Sequence, residues 1–388
     1  MADVPQRLGI VGAGTMGAGI AQLGGLAGID TLLHDPVEAA LDRGVQVIQK
    51  NLAKGAERGR WSGDEAAVAA QRVRAVRSLE ELGDRELIIE AAPERLELKR
   101  ELFGKLSEIC GPGTVLATNT SSIPVTDIAS AAAEPENVVG LHFFNPPPLM
   151  KLVELIAAVQ TGERALAIAR ATGEAMGKRV IAASDGPGFL VNRCGRPFGI
   201  EGLRLLQERL ASHEEIDRIY RVGGGYRMGP FELTDLVGID VSLAVARSFY
   251  ELSFGEPRWR PSPLAARMVA AGRLGRKTGR GWYDYSGDGP HRPPDDDGAE
   301  LSKQHAELLN RVQCCIVNEA AFALGEGVGS RADIDAGVKL GLNWPRGSIE
   351  LGRELGFDHV LGTMDALWDY YREERYRAAP LLRSGSVD

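Results

Sequence analysis

The chain opens on a short apolar run, Leu8–Val11, that leads straight into Gly12-Ala13-Gly14-Thr15-Met16-Gly17 and then an Ala/Gly/Leu stretch compatible with a helix. Short apolar runs recur at Thr31–His34, Val73–Val76, Leu87–Ile89, Val115–Ala117 and Val138–Leu141, and each predicts a strand. Helix-forming segments separate most of them, notably Arg95–Ile109 and Pro124–Ala132, while residues 39–70 read as helices broken near Gly59–Gly63. This alternation predicts a parallel, doubly wound sheet. An alternating segment, Lys151–Ile156, follows a proline-rich bend. From Val180 the texture changes: Asp185–Phe189 is a turn-rich hinge, and the pattern from Val191 onward is mainly helical. Asp284–Gly298, rich in Asp, Gly and Pro, reads as an exposed linker.

The helical half repeats itself at a fixed offset of 118 positions. That offset carries Asn192-Arg193 onto Asn310-Arg311, Glu201 onto Glu319, Glu208 onto Glu326 and Ile216-Asp217 onto Ile334-Asp335. It also carries Gly229 onto Gly347, Glu232-Leu233 onto Glu350-Leu351 and Asp240 onto Asp358, in one ungapped register. The reading is two copies of one helical unit, each with an apolar face to bury against the other. The second copy lacks the Pro-Gly-Phe lead-in and carries Trp344-Pro345-Arg346 where the first has Tyr226-Arg227-Met228, so it reads as a structural partner.

Composition narrows the class. With 388 residues the chain is long enough for two or three cores, and its net charge of −8 argues against a general nucleic-acid or anionic-membrane binder. Four cysteines, two of them adjacent at Cys314 and Cys315, form neither a disulfide framework nor a metal-ligand spacing, so reduced thiols in a cytoplasmic protein are expected. No apolar run approaches the roughly 18 residues of a membrane span, and no signal region precedes the first strand.

The glycine loop has a chemical meaning in this setting. Gly12 permits a tight turn, Gly14 lets the backbone approach a pyrophosphate, and Gly17 lets helix and strand pack closely. The helix start then offers unpaired N–H groups to the phosphates. Asp35 ends the second strand 18 residues after Gly17, close to the spacing of the acid that binds the adenosine ribose hydroxyls. A carboxylate there suits NAD and repels the 2′-phosphate of NADP; the simpler reading is an Asp-Pro turn. Residues just past the strand ends line the site in such sheets, and here they are Glu90, Thr118–Ser121 and His142.

His142 and Glu154 stand twelve residues apart on either side of the proline-rich bend and meet only if the chain folds back. If they meet, the carboxylate orients the imidazole and stabilises the imidazolium formed on proton abstraction, as a dehydrogenase requires. Taken singly, a strand-end His is more often a structural hydrogen-bonding residue and a strand Glu a solvated one.

With these motifs assembled, the chain resembles the L-3-hydroxyacyl-CoA dehydrogenases, in the form with a duplicated C-terminal unit. The resemblance rests on Gly12-x-Gly14-x-x-Gly17 with Asp35, Asn119-Thr120-Ser121-Ser122, His142–Pro146 through Glu154, Asp185–Arg193 and Met228–Leu233. It implies an α/β Rossmann-type N-terminal domain over residues 1–186 and an all-α C-terminal domain built from two tandem repeats. The repeats are placed at 187–286 and 301–388, with a linker at 287–300.

It also implies roles. His142 is the general base, Glu154 its partner, Ser121 the hydrogen-bond donor to the substrate 3-oxygen and Asn192 a support for the reacting centre. Gly12, Gly14, Thr15, Met16, Gly17, Asp35, Glu90, Glu94, Lys99 and Asn119 contact NAD, and Lys54 meets the CoA phosphates. Three of these have plainer readings: Ser121 as a helix cap near Pro124, Lys99 as a pair for acids on its own helix, and Lys54 as an exposed helix lysine. Stretches Gly225–Pro230 and Gly272–Gly281 resemble members acting on 3-hydroxyadipyl-CoA, which makes Arg227 a candidate for a distal carboxylate or else a solvated turn residue. The expected reaction is NAD-dependent oxidation of an L-3-hydroxyacyl-CoA by a homodimer paired through the helical domain. Two alternatives are a related dehydrogenase of a free hydroxy acid and a non-catalytic crystallin-like dinucleotide-binding protein.

Overall fold

The computed structural model describes residues 4–287, 291, 292, 295 and 301–388. The chain divides into two compact units, the first ending at Phe189 and the second beginning at Leu190.

The first unit is built on β1 (Arg7–Val11), α1 (Thr15–Leu26), β2 (Asp30–His34), α2 (Glu38–Glu57), α3 (Gly63–Arg72), β3 (Val73–Val76), β4 (Leu87–Glu90) and α4 (Leu96–Ile109). It continues through β5 (Val115–Thr118), α5 (Val125–Ala129), β6 (Val138–Phe143), β7 (Leu152–Ala157), α6 (Glu163–Ala175) and β8 (Arg179–Ser184). The eight strands form one sheet in the order β3-β2-β1-β4-β5-β6-β7-β8. Strands β4, β5 and β6 are buried along their whole length, as expected where helices cover both faces of a parallel sheet. Leu8, Ile10, Leu33, Ile89, Leu141 and Val153 contribute to the core.

Two features depart from the sequence reading. β6 and β7 pair antiparallel, and β8 pairs parallel to β7, so the last two strands run against the other six. The bend Asn145–Met150, with a cis Asn145–Pro146 bond, turns the chain through a hairpin rather than a helical crossover. β8 falls where the pattern read only as a change of texture.

The second unit comprises α7 (Val191–Gln207), α8 (His213–Arg218), α9 (Pro230–Val237), α10 (Ile239–Leu252), α11 (Pro263–Ala270), α12 (Lys303–Gly325), α13 (Arg331–Gly341), α14 (Ser348–Leu355), α15 (Phe357–Tyr371) and α16 (Pro380–Arg383). The 118-residue offset recurs in element ends: α7 and α12 end, α8 and α13 begin, and α9 and α14 both begin and end at positions so related. It recurs in contacts as well. Asp217 accepts the backbone N–H groups of Phe231 and Glu232 at the start of α9, and Asp335 accepts those of Ile349 and Glu350 at the start of α14. Arg193 pairs with Glu319 at 2.9 Å and Glu326 at 2.7 Å, while Arg311 pairs with Glu201 at 3.0 Å and Glu208 at 2.8 Å. Each arginine thus meets the two acids that correspond to its counterpart's.

Most of the expected linker, 287–300, lies outside the described residues. The described part is anchored rather than free: Asp295 accepts two hydrogen bonds from Arg221, and Arg292 Nε donates to Glu232 at 2.8 Å.

Candidate active site

The carboxyl edge of the sheet gathers the candidate residues of the first unit other than Lys54. At the end of β1, Gly12 adopts φ +102°, and a Cβ there would lie 2.6 Å from the Ala91 carbonyl oxygen. A Cβ at Gly17 would overlap the Gly12 carbonyl oxygen, so only glycine brings α1 this close to the loop. Gly14 is different, because a Cβ there would meet nothing within 4 Å. That open space in front of the first N–H groups of α1, which Thr15, Met16 and Gly17 begin, fits a bound pyrophosphate.

Asp35 flanks the loop. Its carboxylate accepts the Ala13 N–H at 2.8 Å through one oxygen and the Val37 N–H at 2.9 Å through the other. It is therefore the expected turn residue and also a tie between the end of β2 and the glycine loop.

At the ends of β4 and β5 a buried polar network sets the loops. Lys99 Nζ donates to Glu90 at 2.6 Å, and both side chains are sealed from solvent. Glu90 also accepts from Thr118 Oγ1 and from the Ala92 N–H. Lys99 thus pairs across elements, with β4 and with Glu94 ahead of its own helix. Glu94 accepts from Thr120 Oγ1 at 2.6 Å, from the Ser121 and Ser122 N–H groups and from Ser122 Oγ. Burial opposes ionisation of Glu94, but Lys99 and these donors together hold its carboxyl below the ordinary glutamate range.

Ser121 gives only its backbone N–H to this network. α5 starts at Val125 and is capped by Asp185, which accepts the Val125 and Thr126 N–H groups at 2.9 and 2.8 Å. Ser121 is not the cap. Asn119 Oδ1 accepts the Phe143 N–H at 2.8 Å and so fixes the strand end beside His142.

His142 and Glu154 are register partners across β6 and β7. His142 Nδ1 lies 2.7 Å from Glu154 Oε2, with His142 6% and Glu154 0% exposed. Phe144 and Phe189 flank the imidazole with ring centroids at 4.7 and 5.9 Å. An Nδ1–H donated to the carboxylate leaves the Nε2 lone pair to take a proton. Neither residue is a solvated surface group.

One support of this pair had no signal in the sequence. Lys178, buried at the approach to β8, donates from Nζ to the Pro147 and Met150 carbonyl oxygens at 2.7 and 2.8 Å, holding the bend between His142 and Glu154. Burial pushes its ammonium down to about 8. Pro147 and Pro148 in turn pack against Gly19 of α1.

Lys54 is exposed near the end of α2. In the second unit, Asn192 is half-buried in the first turn of α7, and Arg227 is exposed on the turn before α9.

A dinucleotide cradle and a buried histidine–carboxylate pair on one sheet edge point to an oxidoreductase of the nicotinamide class. Comparison with known proteins specifies which. The NAD-binding domain of 3-hydroxyacyl-CoA dehydrogenase matches residues 7–186, and the C-terminal domain of the same family matches residues 188–285 and 308–385. The chain is 34% identical to a 3-hydroxyadipyl-CoA dehydrogenase of Escherichia coli K12, covering 98% of both chains. It is 40% identical to a probable 3-hydroxybutyryl-CoA dehydrogenase of Deinococcus radiodurans, over 72% of this chain and all of that one. A solved structure of an Escherichia coli 3-hydroxybutyryl-CoA dehydrogenase superposes with a TM-score of 0.93 at 33% identity, covering 100% of this chain and 99% of that one. The chain belongs to the 3-hydroxyacyl-CoA dehydrogenase family, and it is an NAD-dependent enzyme.

Proposed function

We propose that the chain oxidises the hydroxyl of an L-3-hydroxyacyl-CoA of short or dicarboxylic acyl group to the 3-oxo group, reversibly, with His142 as base. The observation that carries this is the sealed 2.7 Å contact between His142 Nδ1 and Glu154 Oε2. His142 Nε2 takes the hydroxyl proton, and the Glu154 carboxylate holds the tautomer and stabilises the resulting imidazolium. Ser121 Oγ donates to the 3-oxygen as the carbonyl forms, and Asn192 supports the reacting carbon. NAD, when bound, accepts the hydride that leaves that carbon.

Gly12, Gly14, Thr15, Met16 and Gly17 hold the pyrophosphate, and Asp35 holds the adenosine ribose. Glu90, Glu94, Lys99 and Asn119 shape the nicotinamide side of the edge. Lys54 meets the CoA phosphates, and Arg227 is a cation available to a distal carboxylate; the exposure of both supports access to a ligand.

The reading places the cofactor domain at 1–186 and the helical copies at 187–286 and 301–388. The exposed apolar set Leu236, Val237 and Val241 supports a homodimer paired through the helical unit. Among the described residues no helix is long and apolar enough to cross a membrane. The low cysteine content, four in 388 residues, supports a reducing, cytoplasmic setting. Initial rates with acetoacetyl-CoA, longer 3-oxoacyl-CoA and 3-oxoadipyl-CoA plus NADH test the substrate. Preference for a long, uncharged acyl group would overturn the short or dicarboxylic assignment.

A further inference from the structure

α7 carries two arginines near its start, and the fold neutralises only one. Arg193 lies between Glu319 and Glu326. Arg196 has no carboxylate within ion-pair distance among the described residues. Its Nε donates to the Asn192 carbonyl oxygen at 3.3 Å, and its guanidinium lies 4.5 Å from the centre of the Phe249 ring. The residue is only partly exposed, and its apolar surroundings pull it down to about 10, so it is still a cation at neutral pH.

The plain explanation is packing, because an arginine stem covers apolar surface well. The second helical copy supplies an internal control. The residue 118 positions after Arg196 is Cys314, buried and neutral, whereas Arg193 has its counterpart in Arg311 with a full set of acids. The helix packs without a charge at the one position and with a paired charge at the other. Asn310, the counterpart of Asn192, is also occupied differently: its Oδ1 is engaged by His359 at 2.8 Å. An unpaired cation one turn beyond Asn192 is therefore particular to the first copy, and packing does not require it.

We propose that Arg196 is a specificity residue that receives the distal carboxylate of a dicarboxylic 3-hydroxyacyl-CoA. The assignment rests on the proposed reaction and on Asn192 standing beside the reacting carbon. Arg196 follows Asn192 by four residues on the same helix face, a rise of about 6 Å. In a six-carbon diacid the terminal carboxyl lies three carbon–carbon bonds beyond C3, roughly 4 Å at about 1.5 Å per bond. An arginine side chain spans the difference, and its planar fork suits a carboxylate better than a lysine would.

The test uses the full-length enzyme with NADH, comparing kcat/KM for 3-oxoadipyl-CoA and acetoacetyl-CoA. In Arg196→Met the ratio of the two should fall about 10- to 100-fold, chiefly through KM for the dicarboxylic substrate. Arg196→Lys should recover part of that loss. NADH binding, followed by fluorescence, reports that the variants are folded; if Arg196→Met does not fold, Arg196→Gln carries the same comparison. An unchanged ratio, or equal loss on both substrates as expected for a contact to CoA or for simple packing, overturns the proposal. So does a collapsed ratio in Arg227→Ala without one in Arg196→Met. A wild-type enzyme active on acetoacetyl-CoA but not on 3-oxoadipyl-CoA overturns this assignment and leaves the reaction standing. Inactivity on both removes the reaction and the assignment together.

Discussion

His142 Nδ1 and Glu154 Oε2 stand 2.7 Å apart because β6 and β7 form an antiparallel pair in which these two residues face each other in register. Glu154→Gln keeps the shape and a hydrogen-bond acceptor but removes the charge that stabilises the imidazolium. The expected outcome is a kcat loss of about 10²–10⁴-fold with NAD affinity unchanged, read by steady-state rates and fluorescence titration. A near-wild-type kcat would make Glu154 a packing residue.

Asp35 ties β2 to the glycine loop through Ala13, and its proposed role is to hold the adenosine ribose. Asp35→Ala should raise the NAD dissociation constant about 10-fold or more and narrow the preference over NADP, as expected for loss of a charged hydrogen-bond partner. An unchanged ratio of NAD to NADP efficiency counts against the ribose contact.

Lys178 tests the bend that brings the pair together. Burial lowers its ammonium from the ordinary lysine value to about 8, so between pH 8 and that value the unfolded chain binds more protons than the folded one. Stability from this group therefore rises as pH increases through that window. Lys178→Met should remove the alkaline gain from a Tm-against-pH curve. It should also lower kcat with no change in NAD binding, because the Pro147 and Met150 carbonyl groups lose their donor. A curve that keeps the wild-type slope would assign the alkaline gain to other groups.

The reciprocal ion pairs of the helical unit make a paired prediction. Arg193→Met leaves Glu319 its 2.9 Å pair with Arg258, and Glu326 is half exposed. Arg311→Met removes the short pair of buried Glu201, which keeps Arg375 at 3.9 Å and the Tyr376 hydroxyl at 3.3 Å. Arg311→Met should therefore cost about 3–5 kcal/mol in denaturant titration, and Arg193→Met less. An equal or larger cost for Arg193→Met would contradict this.

The strands β1 to β6 were legible because each is a short run rich in apolar residues, which a parallel sheet covered on both faces favours. The reversal of β7 and β8 was not. Direction is set by how the Pro146–Pro148 bend packs on Gly19 of α1 and by Lys178 beneath it, contacts between residues far apart in the chain. Glu90, Glu94 and Lys99 were singled out as cofactor contacts, but their joint role in setting the Asn119–Ser122 loop belongs to the folded geometry. Asp185 read as part of a hinge, and only its reach to Val125 and Thr126 reveals a helix cap. Arg196 belongs to Cys194-Gly195-Arg196, where the sequence departs from the more apolar helix start of the family it resembles; what singles it out is the absence of an acid partner among the described residues, which a sequence does not display.

His142→Gln, assayed by NADH consumption with acetoacetyl-CoA, tests the central claim most directly. The account predicts a kcat about 10²–10⁴-fold below wild type, with NADH still bound at wild-type affinity. Turnover retained near the wild-type rate would contradict His142 as the base.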